Sequence, residues 1–225
     1  MYKSAEAHGE NMVEKALRSC KRGGTLLDVG CWDGANTLRW SSAFGAKKTL
    51  GIEVVSAAAK KASNNGIKVY VADIDNDKWP IKSGSVDCVI SNLVIEHMSN
   101  VDHFISETYR VLKSGGYSVV GTNNLSSWHN IASLFLGWTP FDLTNTTSKQ
   151  WSIGNPLALH LWEKRTRGDT YMHKCVYSTR WLKEWYELYG FSFVSVYGSG
   201  YYPFPSFIGD IDKLHASLIT LTFKK

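Results

Sequence analysis

Residues 25–53 read TLLDVGCWDGANTLRWSSAFGAKKTLGIE. An apolar run of Leu26, Leu27 and Val29 carries Asp28 inside it, passes through a turn bearing Gly30 and Gly34, and opens a helix at Ala35. A second apolar strand then ends on Glu53. This spacing predicts a strand, a glycine turn, a helix and a parallel strand. Asp28, the turn and Glu53 then share one edge of a parallel sheet, where open α/β folds bind their ligands. Glycine at 30 and 34 lets the backbone turn tightly and lets a ligand approach it.

The chemistry of that edge narrows the ligand. A carboxylate closing the second strand, as Glu53 does, can accept hydrogen bonds from both hydroxyls of a ribose. A nicotinamide-type fingerprint requires G-x-G-x-x-G. Here Trp32 and Asp33 lie between the two glycines and no third glycine follows at that spacing. The turn therefore makes a poor pyrophosphate cradle and suits an amine-bearing ligand better. An NAD-type oxidoreductase remains the weaker alternative, separable by NADH binding.

The chain continues with a helix from Ser56 to Ser63, a turn at Asn64–Gly66, a strand over Ile67–Ala72 and then Asp73. An acidic residue closing a third strand offers an acceptor to an exocyclic amine. A fourth strand over Val86–Ser91 runs into Asn92-Leu93-Val94-Ile95-Glu96-His97. Helical spacing then resumes at Val101, Phe104, Ile105, Thr108, Val111 and Leu112. Lys113–Gly116 reads as its stop, and Tyr117–Gly121 as a fifth strand.

The glycine turn resembles the first motif (D-x-G-x-G-x-G) of the class I S-adenosylmethionine-dependent methyltransferases. Asp28, Gly30 and Gly34 match, and Trp32 replaces the middle glycine. VDCVISNLVIEHMSN followed by RVLKSGG resembles the group that includes the ubiquinone and menaquinone methylases, within the type 11 methyltransferase domains. The resemblance covers roughly residues 24–122. It implies a Rossmann-like three-layer sandwich around a mostly parallel seven-stranded sheet of order 3-2-1-4-5-7-6, with the last strand antiparallel. It further implies S-adenosylmethionine as cofactor, released as S-adenosylhomocysteine. Asp28, Gly30, Cys31, Trp32 and Gly34 would hold the methionine portion, and Glu53 with Val54 the ribose. Asp73 and Ile74 would hold the adenine, with Asn92 and Leu93 facing the transferred methyl. In one ubiquinone-methylase branch a metal ion lies near this last segment, bound with an extra acidic residue. Leu93 stands at that position here, so no metal is expected.

Methyl transfer to a hydroxyl needs a base, and an imidazole suits that role. His97 is the first candidate, with His129 and His173 as alternatives; a cap or bridging role for the Glu96-His97 pair is the competing reading. Residues 122–176 lie outside the expected core and read as an inserted lid, a role common for long loops. Six of the nine tryptophans fall between Trp128 and Trp185, and they either line a pocket or pack the insertion onto the sheet. Asn123, Trp128, His129, His173, Tyr201 and Tyr202 are the acceptor-side candidates by position. An excess of bases over residues 160–183, with Lys164, Arg165, Arg167, Lys174 and Arg180, is either a feature for an anionic acceptor or a solvated face.

The expected organisation is a single domain: a leading helix (1–23), a cofactor-binding core (24–122), the lid (123–177), and a C-terminal helix with a strand pair (178–225). Within 1–23, Met12, Val13, Ala16, Leu17 and Cys20 share a helix face, with His8 and Glu10 ahead of it. A second helix follows Ser178-Thr179, with Leu182, Trp185, Leu188 and Tyr189 on one face. At 225 residues, 20% charged and 44% hydrophobic, the composition is that of a globular protein with no run long enough to span a membrane. Four scattered cysteines give neither a zinc motif nor a disulfide framework, so a reduced, cytoplasmic setting is expected. A net charge of +5 is too mild to track a phosphate backbone, and strand four lacks the Asn/Asp-Pro-Pro-aromatic run of nucleic-acid amino methylases. The acceptor expected is a small molecule, a glycan or a lipid-linked sugar, methylated at oxygen. A non-catalytic cofactor-binding module is the other alternative.

Overall fold

The computed structural model describes residues 2–21, 23–147, 149–158 and 172–225, the side chains of residues 2–4 excepted. Helices α1 (Tyr2–Ser19), α2 (Ala35–Phe44), α3 (Ser56–Asn64), α4 (Val101–Val111), α5 (Trp128–Phe135) and α6 (Thr179–Leu188) surround one seven-stranded sheet. Its strands are β1 (Thr25–Val29), β2 (Lys48–Ile52), β3 (Lys68–Tyr70), β4 (Val86–Asn92), β5 (Leu112–Asn123), β6 (Ser192–Ser199) and β7 (Leu218–Lys224). The spatial order is β3-β2-β1-β4-β5-β7-β6. β1 to β5 are parallel, and β7 lies antiparallel to both β5 and β6. This is the expected sheet. No described helix is long and apolar enough to cross a membrane.

Both faces of the sheet are covered, which is why its central strands are apolar on both sides. Because side chains alternate along a strand, Leu26, Cys88, Ile90 and Val119 join α1 and α2 through Val13, Ala16, Leu17, Trp40, Ala43 and Phe44. Leu27, Val29, Val89 and Val120 face the other way, among Phe104, Ile105, Leu182 and Tyr186. The same alternation puts Asp28 on the α1/α2 face, beside Leu26.

α1 contains His8 and Glu10, and Arg39 of α2 pairs with Glu10 and Glu14 at 3.4 and 2.8 Å and draws the two helices together. Three local expectations are corrected. β3 stops at Tyr70 because it is an edge strand paired only to β2, and Val71 beyond it is 59% exposed. Lys113–Gly116 does not stop α4. Leu112 leaves the helix directly into extended backbone (ψ 139), and the glycines form an irregularity at the start of β5, between the pairs Val86–Leu112 and Cys88–Tyr117. On α6, Leu188 is exposed, whereas Tyr186 is buried and stacks on Phe223 at 4.2 Å. That helix is capped as expected, the Ser178 hydroxyl accepting from the Trp181 N–H.

Candidate cofactor and acceptor site

The carboxyl ends of β1, β2 and β4 bring the predicted residues to one edge. Gly30 (φ 79) and Gly34 (φ 82) both take left-handed backbone, and Trp32 between them does so as well (φ 48). The departure from the glycine pattern thus keeps the glycine-like conformation. The Trp32 indole is 47% exposed. The two glycines are also required by packing: a Cβ at Gly30 would stand 2.5 Å from Val94 Cγ2, and one at Gly34 would stand 2.6 Å from Ile67 Cδ1. Protein side chains, as well as any ligand, occupy the space these glycines leave. Cys31 turns inward against Gly51, and burial pushes its thiol up to about 12.

Glu53 is buried at the end of β2. Its Oε2 accepts from the Trp32 N–H and its Oε1 from the Val55 N–H, each at 2.9 Å. These bonds hold the carboxylate against the turn and use one lone pair on each oxygen, leaving acceptor capacity on both. Val54, just beyond, is 45% exposed. Asp28 is 1% exposed; its Oδ2 accepts from the Thr37 hydroxyl at 2.6 Å, and its Oδ1 has no partner among the described residues. Burial, with a smaller contribution from the Glu53 charge, pushes its carboxyl up to about 7. A buried, unsatisfied carboxylate oxygen is costly, and an ammonium group is the ligand chemistry that would satisfy it. Asp73 closes a short turn, its oxygens accepting from the Asp75 N–H and the Asn76 amide at 2.9 Å each, with Ile74 buried beside it.

At the end of β4, Asn92 and Leu93 line a cavity of about 130 Å³. Leu93 sits at φ 56, a conformation costly for a branched side chain, and its N–H donates to the Gly121 carbonyl at 2.8 Å. The other walls are Glu6, Gly9 and Glu10 of α1, Thr122 of β5, and Leu218, Ile219 and Thr220 of β7. Of these wall residues the sequence reading named Glu10 beside the helix face but gave it no role, and nothing local marks the others.

The acceptor-side candidates separate into two groups. Asn123, His129 and His173 gather around Asp142, a residue the sequence did not distinguish. Asp142 accepts from the Asn123 and Asn130 amides at 3.2 and 2.6 Å, and its carboxylate lies 3.4 Å from His129 Nε2. Its backbone carbonyl accepts from His173 Nδ1 at 2.6 Å. Tyr202 packs edge-on against His129 at 5.2 Å. Trp128 and Tyr201 instead bond to each other at 2.7 Å, and Tyr201 donates to Asp212. Trp128 also stacks on His215. His97 donates from Nδ1 to the Met172 carbonyl at 2.9 Å, and burial lowers its imidazole pKa below the usual value. Lys174 and Arg180 are engaged by Asp75 and Glu184; Lys164, Arg165 and Arg167 lie outside the described residues.

The sequence profile of the Methyltransferase domain family matches residues 27–120, the stretch that builds this edge. Residues 27–120 thus carry the likeness to a methyltransferase domain, on a fold shared with solved S-adenosylmethionine-dependent methyltransferases. The chain resembles proteins named for varied acceptors. It is 27% identical over 135 residues to a malonyl-[acyl-carrier protein] O-methyltransferase of Erwinia billingiae, covering 60% of this chain and 51% of that protein. It is 29% identical over 127 residues to a ubiquinone biosynthesis O-methyltransferase of Rickettsia conorii, covering 51% and 42%. The chain thus spans about half the length of the curated relatives it matches. A solved S-adenosylmethionine-dependent methyltransferase from Thermotoga maritima, a possible histamine N-methyltransferase, shares the fold at a TM-score of 0.65 and 17% identity, over 98% of this chain and 91% of that one. S-adenosylmethionine is the cofactor named for several of these similar proteins, and the orphaned Asp28 oxygen beside the Glu53 carboxylate fits its ammonium and ribose.

Proposed function

We propose that this methyltransferase acts on a hydroxyl oxygen of a small-molecule, glycan or lipid-linked acceptor. When bound, S-adenosylmethionine supplies an electrophilic methyl group on a sulfonium. The observation carrying the reading is that Asp28, the 30–34 turn and Glu53 share the sheet edge on which Asn92 and Leu93 wall the cavity. Asp28 holds the ammonium, Gly30 to Gly34 the carboxylate end, Glu53 and Val54 the ribose, and Asp73 with Ile74 the adenine. Asn92 and Leu93 border the reacting carbon. α1 covers the cavity and keeps water from it, which suits a displacement helped chiefly by positioning and dry surroundings.

The preference for oxygen rests on the imidazoles of His97, His129 and His173, gathered around Glu96 and Asp142. Asn123, His129, His173 and Tyr202 would contact the acceptor, and a hydroxyl proton can pass to Nε2 of His97 or Nδ1 of His129. Each is the ring atom left free by the bonds described above. Two O-methyltransferases among the relatives support the same choice. Calorimetric titration with S-adenosylmethionine and S-adenosylhomocysteine tests the cofactor half, and transfer of a labelled methyl to glycans and lipid-linked sugars tests the acceptor half. Binding without transfer to any hydroxyl acceptor would favour the non-catalytic alternative.

A further inference from the structure

Three side chains from distant parts of the chain meet behind the cavity wall. Glu96 and His97 lie in a 3-10 turn after β4, and His173 arrives from the last residues of the lid segment. The N–H groups of Lys174 and Cys175 both donate to the Glu96 carbonyl, at 2.7 and 3.3 Å, and dock that segment on the turn. One ligating atom from each of Glu96, His97 and His173 lies within 4.8 Å of the other two. The two imidazoles meet edge to face at 4.9 Å.

The hydrogen bonds around the three groups orient them as acceptors. A carbonyl oxygen only accepts, so the bonds to Met172 O and Asp142 O place a proton on Nδ1 of His97 and of His173. The Asn123 amide approaches the same His173 nitrogen only at 3.5 Å. Nε2 of each ring therefore keeps its lone pair. Glu96 is fully buried; its Oε2 accepts from Thr122 at 2.9 Å, and Oε1 has no partner among the described residues. Two oriented imidazole lone pairs and one bare carboxylate oxygen form a set with acceptors and no donor. Metal-bound histidines are held in this way, with the second N–H given to a carbonyl.

We propose that Glu96, His97 and His173 form a binding site for one divalent transition-metal ion of the zinc type. Two nitrogens and one oxygen suit zinc, cobalt or iron(II) and not magnesium, which prefers oxygen ligands. Bonds of about 2.0–2.1 Å bring tetrahedral ligand atoms to roughly 3.3 Å apart, so the side chains close by up to about 1.5 Å on binding. Three protein ligands leave a place for water or an acceptor oxygen. Thr122, which both lines the cavity and bonds Glu96, puts the site at its wall. With His97 so engaged, His129 is the imidazole left to receive a proton. The linear sequence hides this set because Leu93 holds the position of an expected acid, while His173 is supplied from elsewhere.

The test uses the untagged full chain, stripped of metal by chelator. It is titrated with Zn²⁺ by calorimetry and with Co²⁺ by visible absorption. One ion per chain is expected, with ligand-field bands from a nitrogen- and oxygen-ligated cobalt. H173Q and E96Q should each weaken binding by about tenfold or more, while H103Q leaves it unchanged. Thermal melts and S-adenosylhomocysteine titration of each variant show that the fold persists. Absence of saturable binding, or an unchanged cobalt spectrum in folded H173Q, would overturn the proposal. Metal binding without cofactor binding would leave the site standing and remove the methyl-transfer reading instead.

Discussion

The Glu53 carboxylate reaches across the turn to accept the Trp32 N–H at 2.9 Å, so the residue that replaces a glycine is pinned by the residue proposed to bind ribose. E53A removes a charged acceptor and the anchor of the turn together. It is expected to weaken S-adenosylhomocysteine binding about ten- to a hundredfold, the cost of a hydrogen bond to a charged group. Wild-type affinity in calorimetry of E53A would refute the assignment. W32G should bind as the wild type does, since glycine accepts the backbone at φ 48 without strain.

Asn92 and Gly121 are coupled by contact. A Cβ at residue 121 would stand 2.1 Å from Asn92 Oδ1. G121A is expected to lose about 1–3 kcal/mol through overpacking, with much of the loss recovered in G121A/N92A. Chemical denaturation of the four proteins in this cycle measures the coupling, and additive losses would show that the contact is not the cause.

Asp28 makes proton uptake a reporter of the cofactor. Its folded value of about 7 lies above the ordinary 3.8. Between those values the native state holds a proton that the unfolded state has lost, so this group's contribution to stability falls as pH rises through that window. D28N should flatten the slope. Cofactor binding near pH 6 should release up to about one proton, read from calorimetry in two buffers of different ionisation enthalpy. A buffer-independent enthalpy would exclude an ammonium at Asp28.

Asp75 acts in the opposite direction. Burial alone would raise its carboxyl, but the N–H groups of Asn100 and Ser99, with the Lys174 charge, hold it below 3.8. Its stabilisation is complete above the ordinary value and is lost as pH falls through the lowered one. D75N should cost about 1–3 kcal/mol at neutral pH and less in acid. Hydrogen exchange at the Ser99 and Asn100 amides should quicken, and unchanged exchange there would show that these bonds are not the source.

The cofactor edge was legible because its signals are local. Asp28, Gly30, Gly34 and Glu53 lie within one strand–helix–strand unit, where turn chemistry and strand periodicity are readable in order. The partners of His173 and Asp142 were not legible, since they meet through packing between segments tens of residues apart. β3 was read too long because Val69 and Val71 carry strand propensity, yet an edge strand needs a partner to extend. The packing of the first turns of α1, through Ala5 and Gly9, against Ser199 and Leu218 was not legible, since those turns carry no apolar stripe of their own.

The antiparallel insertion of β7 has a consequence for synthesis. A nascent chain leaving the ribosome presents β1 to β5 early, with every residue proposed to hold the cofactor. The floor made by Leu218, Ile219 and Thr220 then does not exist, and β6 has nothing to pair with. Ligand uptake is therefore coupled to β7 pairing with β5 on one side and β6 on the other, and its pairing with β5 is of the slow, long-range kind. The pocket is finished only once β7 is in place.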